Sequence, residues 1–190
     1  MITGIPIAAL ITSTIAIALF IIKEIRESVK KNRSNKNMLN GLCYMFIEQV
    51  KFNENVISQI NTIEQNITSE NCILWMVENM TDKPYITIKL NNRYNGLLVN
   101  YPRYDFLESH IGELSALDKD LFDEVVRLIA AMNDLNTDCA LILLLLHKND
   151  KKHMEVIKKY FASLNKKIAE EYHPALNNVK SRCEKITIKT

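Results

Sequence analysis

Four histidines (His110, His147, His153 and His173) and four cysteines (Cys43, Cys72, Cys139 and Cys183) are the side chains of this 190-residue chain best suited to metal binding or nucleophilic catalysis. Two of the histidines follow a carboxylate by three positions, as Asp150-x-x-His153 and Glu170-x-x-His173. On a helix that spacing puts a carboxylate and an imidazole on one face, and a di-iron bundle uses two such helices with two further glutamates. Here both pairs fall on the same expected helix, roughly 30 Å apart at about 1.5 Å of rise per residue, so one chain cannot bring them to a single ion. They read as solvated helix surface. The cysteines are widely spaced and form neither a C-x-x-C pair nor a Cys/His zinc pattern. The four glycines are isolated, which leaves no phosphate-cradling loop, and there is no G-x-S-x-G elbow. The expectation is that the chain is not an enzyme: no catalytic residue, no metal ligand, no cofactor and no small-molecule substrate.

The elements that would carry these side chains are organised around the N terminus. Residues 2–22 read ITGIPIAALITSTIAIALFII, with no charge before Lys23. As a helix they reach roughly 30 Å, the thickness of a bilayer's hydrocarbon core. A cleaved signal would have a basic start, a shorter apolar run and a small-residue site before a polar break. None is present, so the segment reads as a transmembrane anchor, with Pro6 tolerated in its first turn. Ala8, Thr12 and Ala16 stand four apart, a spacing that can bring two membrane helices close.

Net charge is +2, too small to suggest nucleic acid, but the charge is unevenly placed. Residues 23–36 hold six basic side chains (Lys23, Arg26, Lys30, Lys31, Arg33, Lys36) against Glu24 and Glu27, or +4. Positive charge beside a membrane segment stays in the cytoplasm. The expected location is therefore the cell (inner) membrane, single-pass, with the C-terminal domain cytoplasmic and its cysteines reduced. Residues 104–138 carry nine acidic side chains against Lys119 and Arg127, or −7. From residue 148 onward eleven basic side chains face five acidic ones, or +6.

The pattern divides the chain into an anchor at 1–22, a basic juxtamembrane helix with a polar hinge (NRSNKN) at 23–37, and a cytoplasmic helical domain at 38–190. Leu39, Cys43, Phe46, Val50, Asn53, Ile57 and Ile60 recur at steps of four and three, the seam of a packed helix over 38–66. Asn53 in that seam reads as a residue at the core's edge, or as a register-setting polar position of a coiled coil. A shorter helix capped by Thr68 or Ser69 is expected over 70–80, with Trp75 as a core plug. Residues 81–112 break the pattern. YITIKL alternates with period two and admits a small β-hairpin near 85–99, closed across NNRYNG onto residues 97–99, or alternatively a pairing with the tail that repeats ITIK at 186–189.

A further helix starts at Ser115 or Asp118 and buries Leu121, Val125, Leu128, Met132 and Leu135. It runs into ALILLLL at 140–146, expected to be the domain's most buried turn. After a polar turn at 147–152 the last helix buries Met154, Ile157, Phe161, Leu164, Ile168, Tyr172, Ala175 and Val179, with Pro174 kinking or splitting it. A short turn makes these two helices antiparallel, which would set the acidic start of one beside Lys166, Lys167, Lys180 and Arg182 of the other.

Within residues 94–126 the order is an aromatic in an extended segment (Tyr94), Ile111-Gly112-x-Leu114, then an acidic helix start with Leu121 and Val125-Val126. Together with the anchor this resembles bacterial single-pass membrane proteins with a helical cytoplasmic domain. Such proteins often carry an aromatic pair one turn after the valines, where Leu128 and Ile129 stand here. The resemblance implies an architecture and no activity.

The expected fold is thus all-α: a transmembrane helix and a cytoplasmic bundle of long antiparallel helices. The expected function is a membrane-anchored interaction module (scaffold, adaptor or regulatory subunit) whose partners are the lipid bilayer and a protein, either another protein or a second copy of the chain. The alternative is a membrane-acting effector, such as a toxin or defence protein, whose transmembrane segment is the active part.

Overall fold

The structure is a computed structural model that describes residues 7–80, 83–91, 93–147 and 153–188, with side chains from Thr14 onward except those of Leu74, Asn79, Met80 and Lys83. The start of the expected anchor including Pro6, most of the 147–152 turn and the end of the tail lie outside the described residues. Ten elements follow in order: α1 (Ile7–Thr68), β1 (Cys72–Met80), β2 (Lys83–Leu90), β3 (Arg93–Leu98), α2 (Asp105–Ser109), α3 (Ile111–Leu117), α4 (Lys119–His147), α5 (Met154–Lys167), a π-helical turn (Ile168–Tyr172) and α6 (His173–Ile188). The fold is mostly helical but not all-α, because a small antiparallel sheet is built into it.

The hinge expected at 32–37 is absent. α1 runs through NRSNKN as one helix of 62 residues. Polar residues alone do not end a helix; a breaker such as Pro or Gly is needed, and there is none between Pro6 and Gly41. The seam read from the sequence is buried from Cys43 to Ile60, with Leu39 half-buried at its start. Asn53 is neither at an edge nor a helix-pairing device. It is fully buried; its Nδ2 donates to the Arg103 carbonyl and its Oδ1 accepts from the Arg103 N–H, both at 2.8 Å. Gln49 accepts from the Leu107 N–H, and Gln59 accepts from the Asn100 backbone and side chain. One polar edge of α1 therefore satisfies the backbone of the segment that returns from the sheet, which would otherwise be left unpaired on burial.

Residues 70–80, expected as a helix, form a turn at 70–71 and the strand β1 (Cys72–Met80) instead. Lack of a breaker permits a helix but does not require one. Here Trp75 and Val77 pair with Ile88 and Ile86 of β2 and share its apolar face, while Met76 faces outward. Register decides the structure, since a period of two satisfies both faces of a sheet. The hairpin near 85–99 is present, with a tighter turn than NNRYNG. Leu90 pairs directly with Arg93, and Asn91 adopts φ 50°, the left-handed region that Asn tolerates in two-residue hairpin turns. The tail does not pair with the sheet; α6 stays helical to Ile188.

Asp118 is the N-cap of α4: its backbone is extended and its Oδ1 accepts from the Leu121 N–H at 2.8 Å. Leu121, Val125, Leu128, Met132 and Leu135 are all buried. ALILLLL is not buried all round: Ile142, Leu143 and Leu146 point inward, whereas Leu141 and Leu144 are exposed. Leu143→Ala should therefore destabilise the chain by about 2–5 kcal/mol, and Leu144→Ala should stay within about 0.5 kcal/mol of the parent, read by denaturant unfolding.

α5 and α6 form one long helix interrupted by the π turn. Pro174 has no N–H and crowds the carbonyl four residues back, so the helix widens and the His173 N–H bonds to the Ile168 carbonyl, five back. α4 runs antiparallel to this helix, with Arg182 on Asp118 and Asp120, Asn178 on Glu124, and Lys167 on Asp138. The pairing expected with the acidic start of α4 thus holds at Arg182, whereas Lys167 meets Asp138 at the far end of the acidic stretch. Lys180 instead pairs with Glu54 of α1, and Lys166 with Glu170 of its own helix. α1 is also antiparallel to the C-terminal helix: Glu54 meets Lys180 and Glu64 meets Asn165.

Candidate functional site

The structure does not assemble the four histidines into one site. His110 packs on Phe106, with ring centroids 4.1 Å apart, and its Nδ1 lies 3.0 Å from the Phe106 carbonyl. His147 and His153 sit at the ends of α4 and α5, and His173 follows the π turn. Among the described residues no three His, Cys, Asp or Glu side chains are grouped as a metal site.

All four cysteines are thiols; Cys43, Cys139 and Cys183 are buried and Cys72 half-buried. Burial, with the Asp138 charge beside it, pushes the Cys139 thiol up to about 12, which keeps it protonated and unreactive. Cys183 of α6 hydrogen-bonds to Cys43 of α1, which lowers the Cys43 thiol and raises that of Cys183. Both sulfurs lie inside the α1–α6 contact.

The most concentrated polar chemistry is around Asp138, which the sequence did not single out. α4 brings it, at 5% exposure, to the π turn. The Tyr172 hydroxyl donates to Oδ2 at 2.6 Å, the Tyr160 hydroxyl donates to Oδ1 at 2.9 Å, and Lys167 Nζ reaches Oδ2 at 3.1 Å. Burial first, then the bond to the Asp138 carboxylate, pushes both tyrosine hydroxyls far above their usual range. Both oxygens of the carboxylate are hydrogen-bonded to side chains of the C-terminal helix, so the cluster fastens α4 to that helix. Asp138 appears in the sequence only as one more acid on an acidic stretch.

Two surfaces remain as candidates for binding. The first is the outer face of the sheet. Tyr85, Tyr94 and Leu98 lie on it, and Tyr85 covers Gly96, where any Cβ would collide with the tyrosine hydroxyl. Lys89 Nζ sits 5.4 Å from the Tyr94 ring centroid. Among the described residues β3 is an edge strand with no strand on its far side, and five of its six residues are exposed. An open edge offers unpaired N–H and C=O groups to an added extended segment.

The second is the N-terminal part of α1. Residues 14–34 are exposed all round, including Ile15, Ile17, Leu19, Phe20, Ile21 and Ile22. By length and composition, α4 is the described helix that could cross a membrane, but its buried stripe forms the centre of the core. No family model, no curated protein and no solved structure matches this chain.

Proposed function

We propose that this chain is a membrane-anchored helical interaction module: residues 2–22 cross the bilayer and α1 continues as a stalk into a cytoplasmic domain that binds a protein partner. One observation carries the reading. From Thr14 to Ile22 α1 is an apolar surface left exposed among the described residues, and from Cys43 to Ile60 it becomes the seam of a packed core. A helix apolar on every side is stable in lipid and costly in water. The basic stretch 23–36 favours the cytoplasmic side for the domain. The sheet's open edge and aromatic outer face suit recognition of an extended segment.

Membrane fractionation tests this. The full chain should stay in the pellet after alkaline carbonate extraction, the chain lacking residues 1–22 should not, and a reporter fused at Thr190 should be active only in the cytoplasm. Release of the full chain by carbonate, or a reporter active outside, contradicts the reading.

A further inference from the structure

The spacing that buries α1 in the core continues past the end of the core. Counting back from Ile60, steps of three and four pass through Ile57, Asn53, Val50, Phe46, Cys43 and Leu39, all buried or packed against the core. The same steps go on through Lys36, Asn32, Val29, Ile25, Ile22, Ala18 and Ile15. Here the stripe is bare: Val29 is 61% exposed and Ile25 57%. Residues 23–37 contain only two apolar side chains, Ile25 and Val29, and both stand on the stripe. Lys23, Glu24, Glu27, Lys30 and Lys31 all fall off it. A stalk that was merely solvated would have no reason to confine its apolar residues to one heptad line.

We propose that residues 15–32 pair in parallel with the same residues of a second copy of this chain, so that the module works as a two-stalked dimer. The inference rests on residues 2–22 being a bilayer anchor. Copies inserted in one membrane share direction and depth, so their seams meet parallel and in register without any further device. That register sets Ile25 on Ile25, Val29 on Val29 and Asn32 on Asn32. Two asparagines can satisfy one another, whereas Asn32 against an unrelated apolar seam would be left unpaired. Beside the seam, the parallel register places Arg26 opposite Ile21 and Arg33 opposite Ser28, so no like charges face one another within residues 15–32; Lys36, the next residue of the stripe, lies beyond the paired stretch. Confinement to a bilayer raises the effective concentration of a second copy, which lets a short seam suffice.

Single cysteines introduced in the full chain at Ile25, Val29, Glu27 and Ser34, co-expressed with two different tags and oxidised in native membranes, test the proposal. The parent chain gives the background from its own cysteines. Ile25→Cys and Val29→Cys should give a product of twice the chain's mass carrying both tags, while Glu27→Cys and Ser34→Cys, on the opposite face, stay at background. Adding Val29→Glu to Ile25→Cys should abolish the product, and adding Lys30→Glu should not. A product equal at all four positions, or one carrying a single tag at another mass, overturns the proposal. Carbonate extraction of the same membranes separates the two failures. A retained chain without a seam-specific product refutes the dimer alone, and an extracted chain refutes the anchor and the dimer with it.

Discussion

Asp138→Ala should lower the stability of the chain by about 2–5 kcal/mol, although it removes only a small side chain. The cost lies in what is left behind. Tyr172 is fully buried, and its hydroxyl has Asp138 Oδ2 as its partner at 2.6 Å. Tyr160 loses its 2.9 Å acceptor at the same time. A buried hydroxyl without a partner bears its full desolvation cost, about 1–3 kcal/mol each. Lys167 adds little, since its side chain is 43% exposed and water replaces the lost carboxylate. Tyr172→Phe removes one donor and should cost less. The double variant should cost less than the sum of the two, because once Asp138 is gone Tyr172→Phe removes an orphaned group. Urea unfolding of the detergent-solubilised chain, followed by its one tryptophan, reads all four states. Additive losses, or an Asp138→Ala midpoint equal to the parent's, would contradict the role given to this cluster.

Trp75→Ala should cost about 3–5 kcal/mol. Trp75 is 1% exposed and is the largest side chain joining the sheet to the helices, and its Nε1–H donates to the Leu146 carbonyl at 2.9 Å. The sheet buries Trp75, Ile86 and Ile88 on its inner face, and Trp75 is the largest of them. The loss should therefore be local before it is global. Amide exchange across β1–β3 should accelerate while α4 and α6 keep their protection. Trp75→Phe keeps most of the apolar contact and isolates the hydrogen bond, at about 1 kcal/mol. Uniform loss of protection throughout the chain would show that the sheet is not a separate cooperative unit.

What the sequence made legible was decided by periodicity. α4 and the C-terminal helix carry one apolar face with a period near 3.6, so most of their buried residues could be read directly, with Met154 and Ala175 only partly buried, and the cap was narrowed to Ser115 or Asp118. The interruption before Pro174 followed from proline's missing donor, though not its form as a π turn. β1 could not be read in this way. CILWMVENM fits a strand or a helix by composition, and pairing with β2, a tertiary fact, decides it. The continuity of α1 through NRSNKN was hidden for the opposite reason, since polarity suggests a loop while the backbone meets no breaker. Asn53 and Asp138 were legible as residues and not as roles. The value of each comes from a partner fifty residues away in one case and twenty-two to thirty-four in the other. No candidate catalytic residue was read from the sequence, and the binding surfaces emerged only from exposure and sheet order.

α1 is one unbroken helix from Ile7 to Thr68, and in the membrane-anchored arrangement we propose, that continuity fixes the domain's height above the bilayer and brings the stalk seam into line with the core seam. Spin labels incorporated at Lys23 and Asn37, two heptads apart on one face, measure it in bilayers when the labelled chain is diluted with unlabelled copies. A continuous helix predicts a single narrow distance centred near 21 Å, from about 1.5 Å of rise per residue. A broad distribution would contradict it by restoring a hinge within residues 32–37.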